Sequence, residues 1–201
     1  MKSFELSGRK RTETGKKSTR ELRKRGGIPC VIYGSKKDSE GRVIATDFEV
    51  TFDDIRKLVY TPDIFVVNLT IDGEPTKAVM REIQFHPVKD NILHIDFYEI
   101  TEGEPIVMEV PVVFDGHAIG VRQGGALNGH MRRLKVLAQY QDIPEKLHID
   151  VTELGLGKSI KVGDLHFPKL EIITPAQALV CTVRTTRAAA SAAAAAAAAE
   201  K

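Results

Sequence analysis

From Ile28 to Val183 the apolar residues come in short, largely β-branched runs, each closed by a turn signal, and no long amphipathic helix interrupts them. This punctuation predicts a mostly β chain. Ile28–Tyr33 reads as a strand broken by Gly34, with Val43–Thr46 as a candidate partner. Ile64–Ile71 and Lys77–Phe85 flank Asp72-Gly73, a hairpin turn signal. Ile92–Ile100 alternates, with Leu93, Ile95 and Phe97 to one side and His94, Asp96 and Tyr98 to the other. A short amphipathic helix is predicted here: Thr51-Phe52-Asp53-Asp54 opens like a capping box, Ile55, Leu58 and Val59 share a face, and Pro62 ends it.

Polar Thr101-Glu102-Gly103-Glu104-Pro105 breaks the pattern and marks a domain boundary. Beyond it, Ile106–Phe114, Leu134–Tyr140, Leu147–Val151, Leu170–Thr174 and Ala178–Val183 are strand candidates, and Gly116–Gly129 reads as a glycine-rich loop. The expected organisation is a first domain over 1–100, a β-rich C-terminal domain over 101–187, and a low-complexity, alanine-rich tail over 188–201 with nothing to bury. Hydrophobic residues make up 42% and Trp is absent, so the cores must be built mainly from Val, Ile and Leu.

The formal charge of +2 hides an asymmetry: residues 1–27 hold ten Lys and Arg against three acids, a net +7, so the remainder carries −5. Gly15–Arg25 reads as a basic loop leading into one short helix, with Leu22 its only large apolar residue. Such a segment is either a solvated tail or a polyanion-binding element. As the latter, its Lys and Arg would neutralise phosphates and release counterions. Gly15 would let the backbone approach a groove, and Ser18 and Thr19 could bond 2′-hydroxyls or phosphates of A-form RNA. The row His94, Asp96, Tyr98 suits RNA contact by hydrogen bonds and stacking, and equally suits the solvated face of a two-sided sheet.

Other chemistries find less support. Gly155-Leu156-Gly157-Lys158-Ser159 resembles the end of a phosphate loop, but Thr152 stands where its first glycine belongs and a strand-like run follows. His86, His94 and Asp96 could ligate zinc in a metal-dependent hydrolase, although their spacing matches no standard site. No catalytic constellation stands out, so the chain is read as a non-enzyme with no metal, cofactor or small-molecule substrate. Cys30 and Cys181 lie in apolar runs, as expected of buried thiols in a reducing cytoplasm. No signal peptide or membrane span is legible, so no membrane partner is expected.

Gly15-Lys16-Lys17-Ser18-Thr19-Arg20-Glu21-Leu22-Arg23, followed by Ile28-Pro29 and Val31-Ile32-Tyr33-Gly34, resembles the opening signature of the bacterial large-subunit ribosomal protein L twenty-five family. Gln84-Phe85-His86-Pro87 and His94-Ile95-Asp96-Phe97 resemble its second signature. Val110-Pro111-Val112 and Gly120-Val121-Arg122-Gln123-Gly124-Gly125 are similar to the long, Ctc or general-stress form, and the resemblance spans residues 1 to about 187. It implies a six-stranded β-barrel-like N-terminal domain that binds the distorted internal-loop region of 5S rRNA. It further implies contacts from Arg11, Lys16, Thr19, Arg20, Arg23, Tyr33, His94 and Asp96, with Gly15 beside them, and other large-subunit components as neighbours. The protein would then be cytoplasmic and ribosome-associated, either constitutively or as a stress-adaptation factor that binds 5S rRNA only under some conditions. Two positions depart from the pattern: Thr19 replaces the usual serine and keeps its hydroxyl, and Glu21 replaces a frequent arginine.

Overall fold

The computed structural model describes residues 2–34, 43–101 and 103–187. Glu102 of the predicted boundary and the alanine-rich segment from 188 lie outside the described residues. Two compact units emerge: the described residues through Ile106 with Gln139–Gln141, and Val107–Ala138 with the described residues from Asp142 onward.

The first unit is a closed six-stranded barrel. Its strands are β1 (Lys2–Lys10), β2 (Gly27–Tyr33), β3 (Thr46–Thr51), β4 (Phe65–Ile71), β5 (Glu74–Phe85) and β6 (Ile92–Glu99), in the order β1-β3-β2-β6-β5-β4. Two pairings are parallel, β1 with β4 and β2 with β6, and the rest are antiparallel. The barrel interior follows the period-2 alternation: Leu6, Ile28, Cys30, Ile32, Phe48, Val50, Val67, Leu69, Ile95 and Phe97 are buried in one cluster. Burial pushes the Cys30 thiol up, and the nearby Asp96 carboxylate adds to the effect against the opposing charge of Arg11.

Helix α2 (Phe52–Val59) begins where the capping pattern places it. The Thr51 hydroxyl accepts from the Asp54 amide, and Ile55 and Leu58 enter the barrel core. The Asp72-Gly73 turn joins β4 to β5 with φ of 49° and 93°. The sequence reading is corrected at two places here. The partner of β2 is Thr46–Thr51 instead of Val43–Thr46, because only Phe48 and Val50 carry the alternation that fills the barrel. Residues 2–10, counted above only as part of a basic end, form β1: Phe4 and Gly8 are half-buried and Leu6 is buried, while the charged residues point outward.

The second unit has two sheets. β7 (Ile106–Asp115), β9 (Arg133–Ala138), β10 (Leu147–Asp150) and β12 (Glu171–Ile172) form one, in the order β10-β7-β9-β12. β8 (Ala126–Gly129), β11 (Ser159–Lys161) and β13 (Leu179–Arg184) form the other, in the order β11-β13-β8. The predicted Gly116–Gly129 loop is therefore partly ordered, since it contains the single turn α3 (Ile119–Arg122) and β8. Gly155–Lys158 leads directly into β11, so no helix N-terminus follows it to receive a phosphate. Among the described residues, no helix is long and apolar enough to cross a membrane.

Phe97 is fully buried against Phe48, with ring centroids 5.6 Å apart. Phe97→Ala is expected to lower barrel stability by about 3–5 kcal/mol, whereas exposed Val88→Ala should shift it by less than about 0.5 kcal/mol. All four tyrosines, Tyr33, Tyr60, Tyr98 and Tyr140, belong to the first unit and Trp is absent, so tyrosine fluorescence in a urea titration reports that unit selectively.

Candidate nucleic-acid interface

Helix α1 (Lys16–Lys24) is a nine-residue element with no fully buried side chain, too short and too charged to persist alone. Its geometry comes from three tethers to the barrel. At its start, Gly15 has φ 108° and ψ 172°, a conformation that favours glycine, and its carbonyl accepts from both the Thr19 amide (3.1 Å) and the Thr19 hydroxyl (2.8 Å). Arg11 reaches across the loop after β1, and its Nη2 donates to the Glu13 carbonyl and to the hydroxyls of Ser18 and Thr19 at 3.1–3.4 Å. In mid-helix, Leu22 lies on Gly27, where any Cβ would collide with Leu22 Cδ1. Near its end, Arg23 donates through Nε (3.1 Å) and Nη2 (2.8 Å) to the Leu93 carbonyl of β6.

These tethers orient the helix. Lys16, Arg20 and Arg23 follow the i, i+4, i+7 spacing and form one exposed cationic stripe, flanked by exposed Lys17 and Lys24. The stripe lies on the flank that reaches β6, since Arg23 bonds there. The other flank, with Ser18, Glu21 and Arg25, lines an open groove of about 1010 Å³. Glu13, Glu49, Asp53 and Asp54 line this groove together with Arg9, Lys10 and Arg11, so its walls are of mixed charge, unlike the stripe. Glu21, the departure from the family pattern, therefore faces away from the stripe and sits 4.0 Å from Arg25 in an i, i+4 pair.

Next to the stripe is the outer face of β2, β6 and β5. Register aligns Val31 with Asp96, Tyr33 with Tyr98 and Gln84 with His94. His94 Nδ1 lies 2.7 Å from Asp96 Oδ1; both are half-buried. An ionised carboxylate only accepts, so it holds the proton on Nδ1 and leaves Nε2 as an acceptor, or as a second donor when the ring is protonated. The Tyr33 and Tyr98 rings meet edge to face at 6.0 Å. A residue that the sequence reading did not single out joins them: the Arg81 guanidinium lies 6.0 Å from the Tyr33 centroid and 5.8 Å from that of Tyr98. A register shift between Met80 and Glu82 interrupts the alternation at Arg81, so period-2 counting could not assign its face.

The structure thus brings Lys16, Arg20, Arg23, Tyr33, His94 and Asp96 onto one continuous surface. Gly15, Thr19 and Arg11 stand behind it as the brace of the first helical turn; the Thr19 hydroxyl already donates to the Gly15 carbonyl. His86 is elsewhere: its Nδ1 accepts from the Val88 and Lys89 amides at 3.2 Å and fixes the β5–β6 turn. Among the described residues, no three His, Cys, Asp or Glu side chains converge as a metal would require.

Comparison with known proteins points the same way. Residues 6–97 match the model of the Ribosomal L25p family, and residues 105–187 match that of the Ribosomal protein TL5, C-terminal domain. The chain is 56% identical over 188 residues to the large ribosomal subunit protein bL25 of Phocaeicola vulgatus, covering 94% of this chain and 95% of that protein. It is 53% identical over 193 residues to the protein of the same name from Bacteroides thetaiotaomicron, at 94% and 95% coverage. Against the one from Azobacteroides pseudotrichonymphae, identity is 45% over 187 residues, at 93% and 96% coverage.

The brace makes a prediction of its own. Thr19→Val removes both the donor to Gly15 and an acceptor for Arg11, at an expected cost of about 1 kcal/mol to the first turn. Amide exchange in α1 should accelerate roughly fivefold while exchange in β4 and β5 is unchanged, and Thr19→Ser should restore the wild-type rate.

Proposed function

The chain belongs to the Ribosomal L25p family in its long form, a family of structural ribosomal proteins and not of enzymes, and from that premise we propose that it is a cytoplasmic constituent of the large ribosomal subunit that binds 5S rRNA through α1 and the outer face of β2, β5 and β6. The observation that carries this reading is the bond from Arg23 to the Leu93 carbonyl, which joins the cationic stripe to the strand that carries His94 and Asp96.

Each part of the surface has a chemistry suited to structured RNA. Lys16 and Arg20 project from the exposed side of α1 and would lie along phosphates, where each displaces condensed counterions. Arg23 does two things: two of its nitrogens hold the helix to β6, and its charge remains exposed at the end of the stripe. His94, fixed in orientation by Asp96, offers Nε2 to a base edge or a 2′-hydroxyl in the wide, shallow minor groove. Tyr33, Tyr98 and Arg81 supply π-faces and a guanidinium plane, on which an unstacked base of a distorted internal loop could rest. The large subunit's other components near 5S rRNA would be the remaining neighbours.

The test separates phosphate contacts from groove contacts in a titration of the full-length protein against 5S rRNA at several salt concentrations. Lys16→Ala with Arg20→Ala should reduce the slope of log affinity against log salt by about two units. His94→Ala should weaken binding by about 1–2 kcal/mol with little change in slope when the imidazole acts as a neutral acceptor. An unchanged slope in the Lys16/Arg20 variant would sink this docking face.

A further inference from the structure

The strand-borne acids of the second unit all lie on one of its two sheets. The four-stranded sheet carries Glu109, Asp115, Asp150 and Glu171 together with Arg133 and Lys135, whereas no Asp or Glu occurs on β8, β11 or β13. One face of this three-stranded sheet belongs to the core, where Cys181 and Val183 are buried. The other presents a row of small polar side chains in register across all three strands, Ser159 beside Thr182 beside Asn128, and next to it Arg184 beside Ala126. Ser159 and Arg184 are exposed, and Thr182 and Asn128 are half-buried. Exposed His130 closes the row, with its Nε2 2.9 Å from Thr182 Oγ1.

We propose that this outer face of the β11–β13–β8 sheet is a second RNA-binding surface of the chain, which takes a sugar–phosphate backbone. Three features argue for that occupant. The face carries cationic Arg184 and no acid, so its charge complements a phosphodiester. Its hydrogen-bonding groups (two hydroxyls, an amide and an imidazole) are of the kind that contact phosphate and ribose oxygens. Its side chains at Ser159 and Ala126 are small, which allows a backbone to approach closely. No aromatic residue lies on β8, β11 or β13, so the surface lacks the stacking platform of the barrel face and should grip backbone instead of reading bases. The choice of RNA rests on the reading above that the chain works on ribosomal RNA, and the experiment keeps the two claims apart.

The probes are the large rRNA of the large subunit, freed of 5S rRNA, and 5S rRNA itself. The full-length protein is used with its barrel stripe silenced by Lys16→Ala and Arg20→Ala. In this background, binding to the large rRNA should persist. Adding Arg184→Ala should weaken it about tenfold and reduce the salt slope by about one unit, and Arg184→Lys should recover the slope. Thr182→Val should weaken it several-fold with the slope unchanged. With the barrel stripe intact, Arg184→Ala should leave 5S rRNA affinity unaltered. Equal thermal midpoints for the variants would assign these losses to the surface. The proposal is overturned if the silenced protein binds no large rRNA, if Arg184→Ala has no effect on that binding, or if it weakens 5S rRNA binding equally. It is also overturned if a photo-crosslinker at position 184 in the assembled ribosome captures protein and no RNA. Failure of the barrel reading is seen separately, as 5S rRNA affinity that Lys16→Ala and Arg20→Ala leave unchanged.

Discussion

Closure of the barrel depends on β1, which pairs in parallel with β4 from Lys2–Phe65 to Gly8–Ile71 and turns antiparallel to β3 at Arg9–Glu49 and Lys10–Phe48. Without it, β3 and β4 would expose unpaired backbone edges and Leu6 would leave the core. The same strand delivers the chain to α1. Arg11, the residue after β1, bonds its amide to the Asp47 carbonyl of β3 and its guanidinium to the first helical turn. Barrel closure and helix placement are therefore coupled, and the cationic stripe inherits its position from the strand that closes the barrel.

This coupling explains how so basic a helix can be ordered. A nine-residue segment with exposed Lys16, Lys17, Arg20, Arg23 and Lys24 repels itself and pays the full nucleation cost of a helix. The opposing terms are local: Leu22 covers Gly27, Thr19 and Arg11 satisfy groups of the first turn, and Arg23 donates twice to one carbonyl. Arg23 and Lys24 in the last turn also complement the helix dipole. A stripe fixed in advance meets a phosphate backbone without the ordering cost that a free basic tail would incur on binding.

The legibility of the fold in the sequence follows from how local each determinant is. The Thr51 cap, the Asp72-Gly73 turn and the alternation of Ile95 and Phe97 against His94 and Asp96 act within a few residues and are readable, but at the start of β6 a register shift puts Ile92 in the core in place of the expected Leu93. β1 was obscured because its charged residues dominate the composition, and its partners Phe65–Ile71 are far along the chain. Two features of the candidate site were hidden for related reasons. Arg81 reaches the tyrosines through an irregularity in β5, which breaks the only rule that assigns faces from sequence. Glu21 looked like a lost cation in the basic motif, yet the helical angle puts it on the groove side, where its neighbour is Arg25. Motif resemblance supplied the residue list, and three-dimensional placement divided that list into a surface and the brace behind it.

Net charge over a whole chain is a poor guide to such surfaces, and the second unit shows why. The excess of acid beyond residue 27 belongs to residues 28–106, with fifteen acids against eight Lys and Arg, whereas residues 107–201 hold nine acids against eleven Lys and Arg. Several acids of the second unit are partnered where they stand: Glu109 lies 3.6 Å from Lys135 and Asp142 3.1 Å from Lys169, while Asp115 Oδ2 is 2.8 Å from His148 Nδ1. Asp150 keeps its charge to lower pH than an ordinary carboxyl, because the Thr152 hydroxyl and amide both donate to it, yet it too sits on the four-stranded sheet. Fields at a protein surface are set by the nearest unpaired groups, since screening at physiological salt removes most contributions beyond about 8 Å. On β8, β11 and β13 the charged side chains are Arg184 and Lys161, so a phosphate approaching that sheet meets two cations and no acid on the strands themselves.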